Sequence, residues 1–113
     1  MSPCLFCRIV EGEVPVDVVM RTPEVIAFRD VAPQSPVHIL VIPTTHYPDV
    51  AAMAAQDPRV AGLVLAAVGS IAESQGLEDG YRLTFNTGLA GGQTVFHVHA
   101  HLMGGRQMTW PPG

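Results

Sequence analysis

Three histidines occupy alternate positions in the stretch T-V-F-H-V-H-A-H-L-M, which spans residues 94–103. Alternate residues of a β-strand point to the same face of a sheet. The pattern therefore predicts a strand that turns His97, His99 and His101 to one face and the apolar residues between them to the other. A chain with such a strand has to build a sheet around it, with a core on the apolar face.

Four further segments are rich in β-forming residues and end at turn residues, which is typical of strands. The turn Thr22-Pro23 separates the first two segments, and Pro43 ends the third. The two prolines in V-A-P-Q-S-P, residues 31–36, predict a loop between the second and third. The predicted strands are residues 16–20, 25–29, 38–42, 81–87 and the histidine segment.

One long helix is predicted where apolar residues recur at helical spacing from Val60 onward. Asp57-Pro58 is a typical helix start, and Gly76 is a typical helix end. Residues 4–10 predict a short N-terminal helix. The chain of 113 residues is therefore expected to form one α+β domain, an antiparallel sheet of about five strands with the main helix packed on one face.

Charge and hydropathy exclude some classes of partner. The six basic residues are all arginines and lie scattered along the chain, against ten acidic residues. This distribution argues against binding of duplex nucleic acid, which needs a basic patch. No apolar run reaches the roughly 18 residues that span a bilayer, and the segment M-S-P-C-L-F-C-R lacks the features of a signal peptide. We therefore expect a cytoplasmic protein that does not bind membranes.

The two cysteines lie close together, as Cys4-x-x-Cys7. In a reducing compartment, such a pair is a redox motif, an inert pair or half of a metal site rather than a disulfide framework. A redox C-x-x-C usually follows a strand, whereas this pair comes first in the sequence. Half of a zinc site is the favoured interpretation, provided that two further ligands exist.

The histidines and the glycine-rich turn before them form the main candidate site. A single histidine in an apolar strand is usually structural, but three in alternation each need a hydrogen-bond partner, so they indicate metal ligands, a nucleophile, a general acid or a mixture. The turn N-T-G-L-A-G-G-Q-T, residues 86–94, would by itself be an ordinary hairpin connection. Beside three histidines it becomes a candidate phosphate cradle, with Gln93 and Thr94 at its rim.

The motif H-V-H-A-H-L-M resembles the His-φ-His-φ-His-φ-φ signature of the histidine-triad (HIT) family of nucleotide hydrolases and transferases, with Ala100 as a weakly apolar φ. Three further segments, together with C-x-x-C, extend the resemblance to the nucleotide-binding Hint branch over nearly the whole chain. They are F-R-D-V-A-P-Q-S-P-V-H-I-L-V-I-P, G-G-Q-T-V-F-H-V-H-A-H and G-G-R-Q-M-T-W-P-P-G. The resemblance implies a HIT-like fold.

The resemblance also implies a catalytic mechanism. His99 would attack the α-phosphorus of a nucleotide and form a covalent nucleotidyl-histidine intermediate, which water then hydrolyses. His101 would donate a hydrogen bond to the phosphate oxygens. His38 matches a fourth histidine beside the triad, and Thr94 stands where serine is usual, near the leaving group.

Further residues match the positions that bind the nucleotide in the family. Asp30 would accept hydrogen bonds from both ribose hydroxyls. An apolar slot would hold the base and prefer purines without strict choice between them; its residues would be Ile9, Val14, Phe28 and Val31. The positions that border the phosphates are Asn86, Gly92 and Gln93.

In zinc-bearing relatives, two histidines join the C-x-x-C pair, and here they match His46 and His97. Four ligands with no open position would make the zinc structural and not required for the chemistry. The resemblance further implies a homodimer, in which burial of Met108 and Trp110 would be favourable.

We expect from these observations a hydrolase that cleaves the P–N bond of purine nucleoside phosphoramidates, such as an adenylate joined to an amine, and releases the nucleoside monophosphate. A hydrolase of dinucleoside polyphosphates or a nucleotidyltransferase is one alternative, which the W-P-P-G segment argues against. The other is a nucleotide- or zinc-binding adaptor with little catalysis. The intact set of His38, His97, His99 and His101 argues against the adaptor, which has no need of a nucleophile.

Overall fold

The computed structural model describes residues 2–113, and a five-stranded antiparallel sheet forms its centre. The strands are β1 (Val18–Arg21), β2 (Val25–Arg29), β3 (Val37–Pro43), β4 (Tyr81–Phe85) and β5 (Ala100–Gly104). Their order across the sheet is β1-β2-β3-β5-β4, so the last strand in sequence lies between β3 and β4. The predicted α+β class with five antiparallel strands is confirmed.

Three helices complete the fold: α1 (Leu5–Val10), α2 (Val50–Gln56) and α3 (Pro58–Ser74). The sequence analysis predicted α1 and α3 but not α2. The side chain of Asp49 caps α2 by accepting a hydrogen bond from the Ala52 N–H, and Asp57 both ends α2 and caps α3. Among residues 2–113, the helices are too short or too polar to cross a bilayer.

Each face of the sheet carries its own hydrophobic cluster, because residues alternate between the faces along every strand. On one face, α3 packs against a cluster that includes Val98, Ala100 and Leu102. On the other face, α1 covers a smaller cluster, which we call the α1 cluster. Its members are Phe6, Ile9, Ile26, Phe28, Leu40 and Ile42.

The predicted histidine strand was too long. β5 begins only at Ala100, so His101 lies within the strand, whereas His97 and His99 lie in the irregular segment before it. The Val98 N–H there donates to the Tyr47 carbonyl, which lies in a loop rather than in a neighbouring strand. The predicted division between faces nevertheless holds, since the apolar residues between the histidines pack on the α3 side.

We predict that Gly91→Ala destabilises the fold, because a methyl group at this position would overlap the Thr87 carbonyl oxygen. Relief of that overlap must distort the turn, at a cost of roughly 1–3 kcal/mol in the free energy of unfolding. Gly62→Ala is the matched control: nothing lies within 4 Å of the added methyl, so the helix should gain about 1 kcal/mol. Chemical denaturation would measure both. Equal stability of Gly91→Ala and the wild type would contradict the prediction.

Candidate functional site

A backbone carbonyl fixes the proton on the ring of His99. Its Nδ1 lies 2.8 Å from the carbonyl oxygen of His97, and the side chain is buried. Because a carbonyl oxygen can only accept, Nδ1 must carry the hydrogen, and Nε2 of the neutral ring holds the free lone pair. Burial lowers the pKa of His99, which favours this neutral form. Nε2 of His99 is therefore an available nucleophile.

His38 and His101 form a second chain of hydrogen bonds with the opposite ring orientation. The backbone N–H of Gln34 donates to Nδ1 of His38 at 3.0 Å, so the hydrogen of the neutral His38 ring is on Nε2. Nε2 lies 2.9 Å from Nδ1 of His101 and donates to it. The hydrogen of His101 is consequently on Nε2, where it can be donated to a ligand.

Burial is the main cause of the low pKa of His101, which is about 4, and the neighbouring imidazoles of His99 and His38 lower it further. At neutral pH the ring is therefore uncharged. An uncharged ring still donates through Nε2, so His101 can bind an anionic oxygen without first taking up a proton.

Cross-strand pairing explains why His38 and His101 lie close together. Leu40 of β3 lies opposite His101, which sets His38 on the diagonal of the same face.

Asp30 lies beside His38, at the end of this series of hydrogen bonds. One of its carboxylate oxygens accepts from the Ala32 N–H, and the other lies 3.5 Å from Nε2 of His38. Asp30, His38 and His101 are close enough to hold a metal ion. However, the Gln34 N–H leaves His38 with its hydrogen on Nε2, the atom that a metal would need. The tautomers therefore favour a hydrogen-bond relay over a metal site.

Phe6 is a site residue that the sequence analysis missed. Its ring is buried and stands edge-on to the rings of His99, His97 and Phe28, with centroid distances of 5.0, 6.0 and 5.6 Å. The sequence offered one signal for selecting Phe6, which was its position between the two cysteines in a segment predicted to be helical. Phenylalanine carries no reactive group, so residue type alone gave no reason to select it.

The residues predicted to form the base slot are only partly brought together. Ile9 and Phe28 belong to the α1 cluster, and Val14 packs partly buried against it. Val31 is 94% exposed and lies outside that cluster. An apolar surface suited to a base therefore exists around Ile9 and Phe28, with Val31 apart from it.

The polar residues of the glycine-rich turn are used within the turn itself. The buried amide of Gln93 accepts from the Gly88 N–H and donates to the carbonyls of Pro48 and Val95. The Asn86 amide donates to the Gly91 carbonyl at 2.8 Å. These side chains therefore fix the shape of the turn, whereas the other two predicted residues, Gly92 and Thr94, are exposed.

The four predicted metal ligands come together at the start of α1. The Sγ atoms of Cys4 and Cys7 each lie 3.5 Å from Nδ1 of His97. Nδ1 of His46 lies 3.5 Å from Sγ of Cys7 and 3.2 Å from Nδ1 of His97. The Pro43 carbonyl accepts from Nε2 of His97 at 2.9 Å. The hydrogen of the neutral ring is therefore on Nε2, which leaves the Nδ1 lone pair facing the sulfurs.

These distances fit a tetrahedral zinc ion. With Zn–S near 2.3 Å and Zn–N near 2.0–2.1 Å, the edges of the tetrahedron are about 3.5 Å between S and N and about 3.3 Å between two N atoms. The donor chemistry fits as well, because two cysteines and two histidines are a common set of ligands for structural zinc. Burial and the neighbouring Cys4 raise the pKa of the Cys7 thiol to about 11, so a cation is needed to hold both sulfurs as thiolates. Four protein ligands leave no open position for substrate.

Comparison with known proteins places these features in a family. A family model described as the HIT domain matches residues 11–108. A 14 kDa zinc-binding protein of Zea mays is 44% identical over 99% of this chain and 89% of its own length. The adenylylsulfatase HINT1 of Arabidopsis thaliana is 42% identical over 99% of this chain and 78% of its own. The crystal structure of a HIT family hydrolase from Legionella pneumophila superposes with a TM-score of 0.94 at 47% identity, covering 97% of this chain and 99% of that one.

We predict that His101 makes the fold less stable as the solution is acidified. Its folded-state pKa of about 4 lies below the ordinary value of 6.5. Between these pH values the unfolded chain binds a proton that the folded chain does not, so the free energy of unfolding falls as pH falls. His101→Gln removes this contribution. Urea denaturation at pH 7 and pH 5 should show a smaller loss of stability for the variant than for the wild type, and equal losses would contradict the prediction.

Proposed function

Because this chain belongs to the HIT-domain family, we propose that it is a nucleotide hydrolase that cleaves the P–N bond of purine nucleoside phosphoramidates. The observation that carries the proposal is the fixed tautomer of His99, whose Nε2 lone pair faces away from the His97 carbonyl that holds Nδ1–H. The adenylylsulfatase name of the Arabidopsis thaliana relative and the hydrolase name of the Legionella pneumophila protein support a hydrolytic reaction at an adenylyl group.

The first step is attack by Nε2 of His99 on the α-phosphorus. As the bond between Nε2 of His99 and phosphorus forms, the P–N bond of the substrate breaks. The departing nitrogen takes a proton from solvent beside the Thr94 hydroxyl and leaves as an amine. The imidazole becomes cationic, and the His97 carbonyl that accepts from Nδ1–H stabilises this charge. The neutral His101 ring donates its Nε2–H to a phosphate oxygen, where negative charge is concentrated.

The second step is hydrolysis of the nucleotidyl-His99 intermediate. A water molecule attacks the phosphorus, the bond to Nε2 breaks, and the proton of the water passes to solvent. The products are a nucleoside monophosphate and the neutral His99 ring, ready for the next cycle. The intermediate divides one difficult displacement into two easier ones.

The nucleoside would bind along the edge of the α1 cluster. Asp30 is half-buried, and its carboxylate retains acceptor capacity for the two ribose hydroxyls beyond the hydrogen bond from Ala32. The base would lie against Ile9 and Phe28, with Val14 beside them. Apolar contacts discriminate weakly between purines, so we expect both adenine and guanine nucleotides to bind.

We also propose that the protein is a homodimer. Within the described chain, β4 pairs only with β5, so its outer edge offers unpaired backbone groups. Tyr81, Leu65 and Trp110 are 45%, 51% and 83% exposed. Burial of such side chains between two copies would be favourable. We further propose a cytoplasmic location, because Cys4 and Cys7 form no disulfide, as is usual in a reducing compartment.

We predict that the wild type hydrolyses an adenosine phosphoramidate and that His99→Ala lowers kcat by on the order of 10³-fold or more, because the nucleophile is lost. The variant should still bind AMP, which controls for folding. Mass spectrometry of quenched wild-type reactions should detect an adenylyl group on His99. Equal rates for the two proteins would exclude His99 as nucleophile, and AMP binding without turnover by either would favour the adaptor.

The leaving group is tested in the same assay. The value of kcat/KM would be measured for adenylyl sulfate and for a diadenosine polyphosphate. Each value would be compared with that for the phosphoramidate at equal concentration. We expect the phosphoramidate to have the highest value. A higher value for the diadenosine compound would assign the protein to the hydrolases of dinucleoside polyphosphates.

We further propose that the Cys4, Cys7, His46 and His97 site binds one structural zinc ion per chain, and we predict that His46→Ala removes it. Zinc stabilises the folded chain by about 2.7 kcal/mol when its free concentration is a hundredfold above Kd, so the variant should unfold more easily. Thr45→Ala, an exposed neighbour outside the ligand set, is the control. Elemental analysis and thermal denaturation would measure both, and an unchanged zinc content in His46→Ala would contradict the assignment.

A further inference from the structure

The helix α1 is too short to be stable on its own. It has six residues, whereas isolated helices of fewer than about 12 residues are marginal in water. Its order must therefore come from its attachments. Cys4 and Cys7 attach it to the metal site, and Phe6 and Ile9 attach it to the α1 cluster.

Phe6 connects these two attachments. It lies between the two cysteines in sequence, and its ring contacts both the metal ligand His97 and the nucleophile His99. The same ring stands edge-on to Phe28, against which the base is proposed to bind. One side chain thus touches a metal ligand, the nucleophile and the proposed base slot.

The metal site is accessible from solvent. A hollow of about 450 Å³ opens beside it and is lined in part by Cys4 and His46. The His46 side chain is exposed, whereas His97 is buried. A competing thiol or chelator can reach two of the four ligands through this hollow, so zinc can enter and leave the site while the chain stays folded.

We propose that zinc at this site and the nucleotide at His99 bind cooperatively, and that Phe6 is the positioning residue that carries the coupling. The inference rests on the proposed nucleotide-binding function and adds a link between zinc occupancy and nucleotide affinity. Zinc would change the strength of nucleotide binding rather than the chemical step, because its four protein ligands leave no open position for substrate.

The physical basis is the cost of ordering α1. Without a cation, the two cysteine sulfurs are joined to His46 and His97 only by sulfur–nitrogen contacts of 3.5 Å, so we expect α1 and its Phe6 ring to be less well ordered than with zinc bound. A nucleotide that binds this form must itself order the helix. Zinc removes that cost in advance and thereby raises nucleotide affinity. Linkage requires the nucleotide to raise zinc affinity by the same factor.

The first experiment uses the full chain. Calorimetry would measure the Kd of AMP for the zinc-saturated and the metal-free protein, and the Kd of zinc with and without AMP. We expect AMP to bind roughly five- to 150-fold more tightly to the zinc form, with the same factor in the reciprocal measurement. Equal AMP affinities for both forms would overturn the inference and leave the proposed function standing. A failure of AMP to bind either form would overturn both.

The second experiment tests Phe6. Phe6→Ala retains all four metal ligands, so it should still bind zinc, but the coupling factor should fall towards one, and Phe6→Leu should give an intermediate factor. Met53→Ala is the control: Met53 is equally buried but lies in the cluster on the α3 face, so this variant should lose stability and keep the coupling. A wild-type coupling factor in Phe6→Ala would overturn the role of Phe6.

Hydrogen exchange in the wild type provides a readout that needs no variant. Amide exchange in residues 5–10 should slow when either zinc or AMP is added, and exchange in α3 should not change. Unchanged exchange in α1 on addition of zinc would overturn the proposed mechanism of coupling.

Discussion

The chemistry of this protein depends on a small number of backbone hydrogen bonds that decide where each imidazole carries its hydrogen. Two carbonyls, of Pro43 and His97, accept from Nε2 of His97 and Nδ1 of His99. The N–H group of Gln34 donates to Nδ1 of His38, the first ring in the series of hydrogen bonds that leads to His101. Three chemically identical rings at alternate positions thereby differ in where they carry a hydrogen. His97 turns the lone pair of Nδ1 towards the cysteine sulfurs. His99 leaves the lone pair of Nε2 free for the proposed attack on phosphorus, and His101 keeps a hydrogen on Nε2 for the proposed contact with a phosphate oxygen.

The sheet separates stability from chemistry. One face packs against α3, the longest helix, through a large cluster whose buried members include residues of three strands. The other face carries the histidines beneath the six-residue α1 and a much smaller cluster. The histidines of the candidate site thus lie on the face that contributes fewer buried apolar residues, and the larger cluster on the α3 face contains none of them.

The sequence was most informative where a pattern repeats or where a motif resembles that of a family. The alternation around His99 predicted which residues face the core, and the resemblance selected His46 as a partner for Cys4, a pairing across 42 positions that spacing alone does not predict. The helix α2 was missed because its alanine-rich segment lacks a broad apolar face. The tautomers could not be predicted, since each depends on a backbone group that only the folded chain brings near. Gln93 was predicted to border the phosphates, and the structure shows that its amide is buried and bonded to the Gly88 N–H and the Pro48 carbonyl. These partners could not be predicted, because residue type does not tell whether a glutamine amide binds a ligand or the backbone.

The position of β5 has a consequence for how the protein is made. Until β5 has formed, β3 has an unpaired edge and β4 has no neighbouring strand within the described chain. The proposed nucleophile, His99, lies directly before β5 in sequence, and β3, the neighbour of β5, is synthesised some sixty residues earlier. β3 therefore pairs on this side with a strand that is distant in sequence, and such non-local pairing is typical of slow folding. The histidines of the candidate site gather only when β5 inserts between β3 and β4, so a chain in which this strand has not yet inserted lacks the arrangement proposed for the reaction.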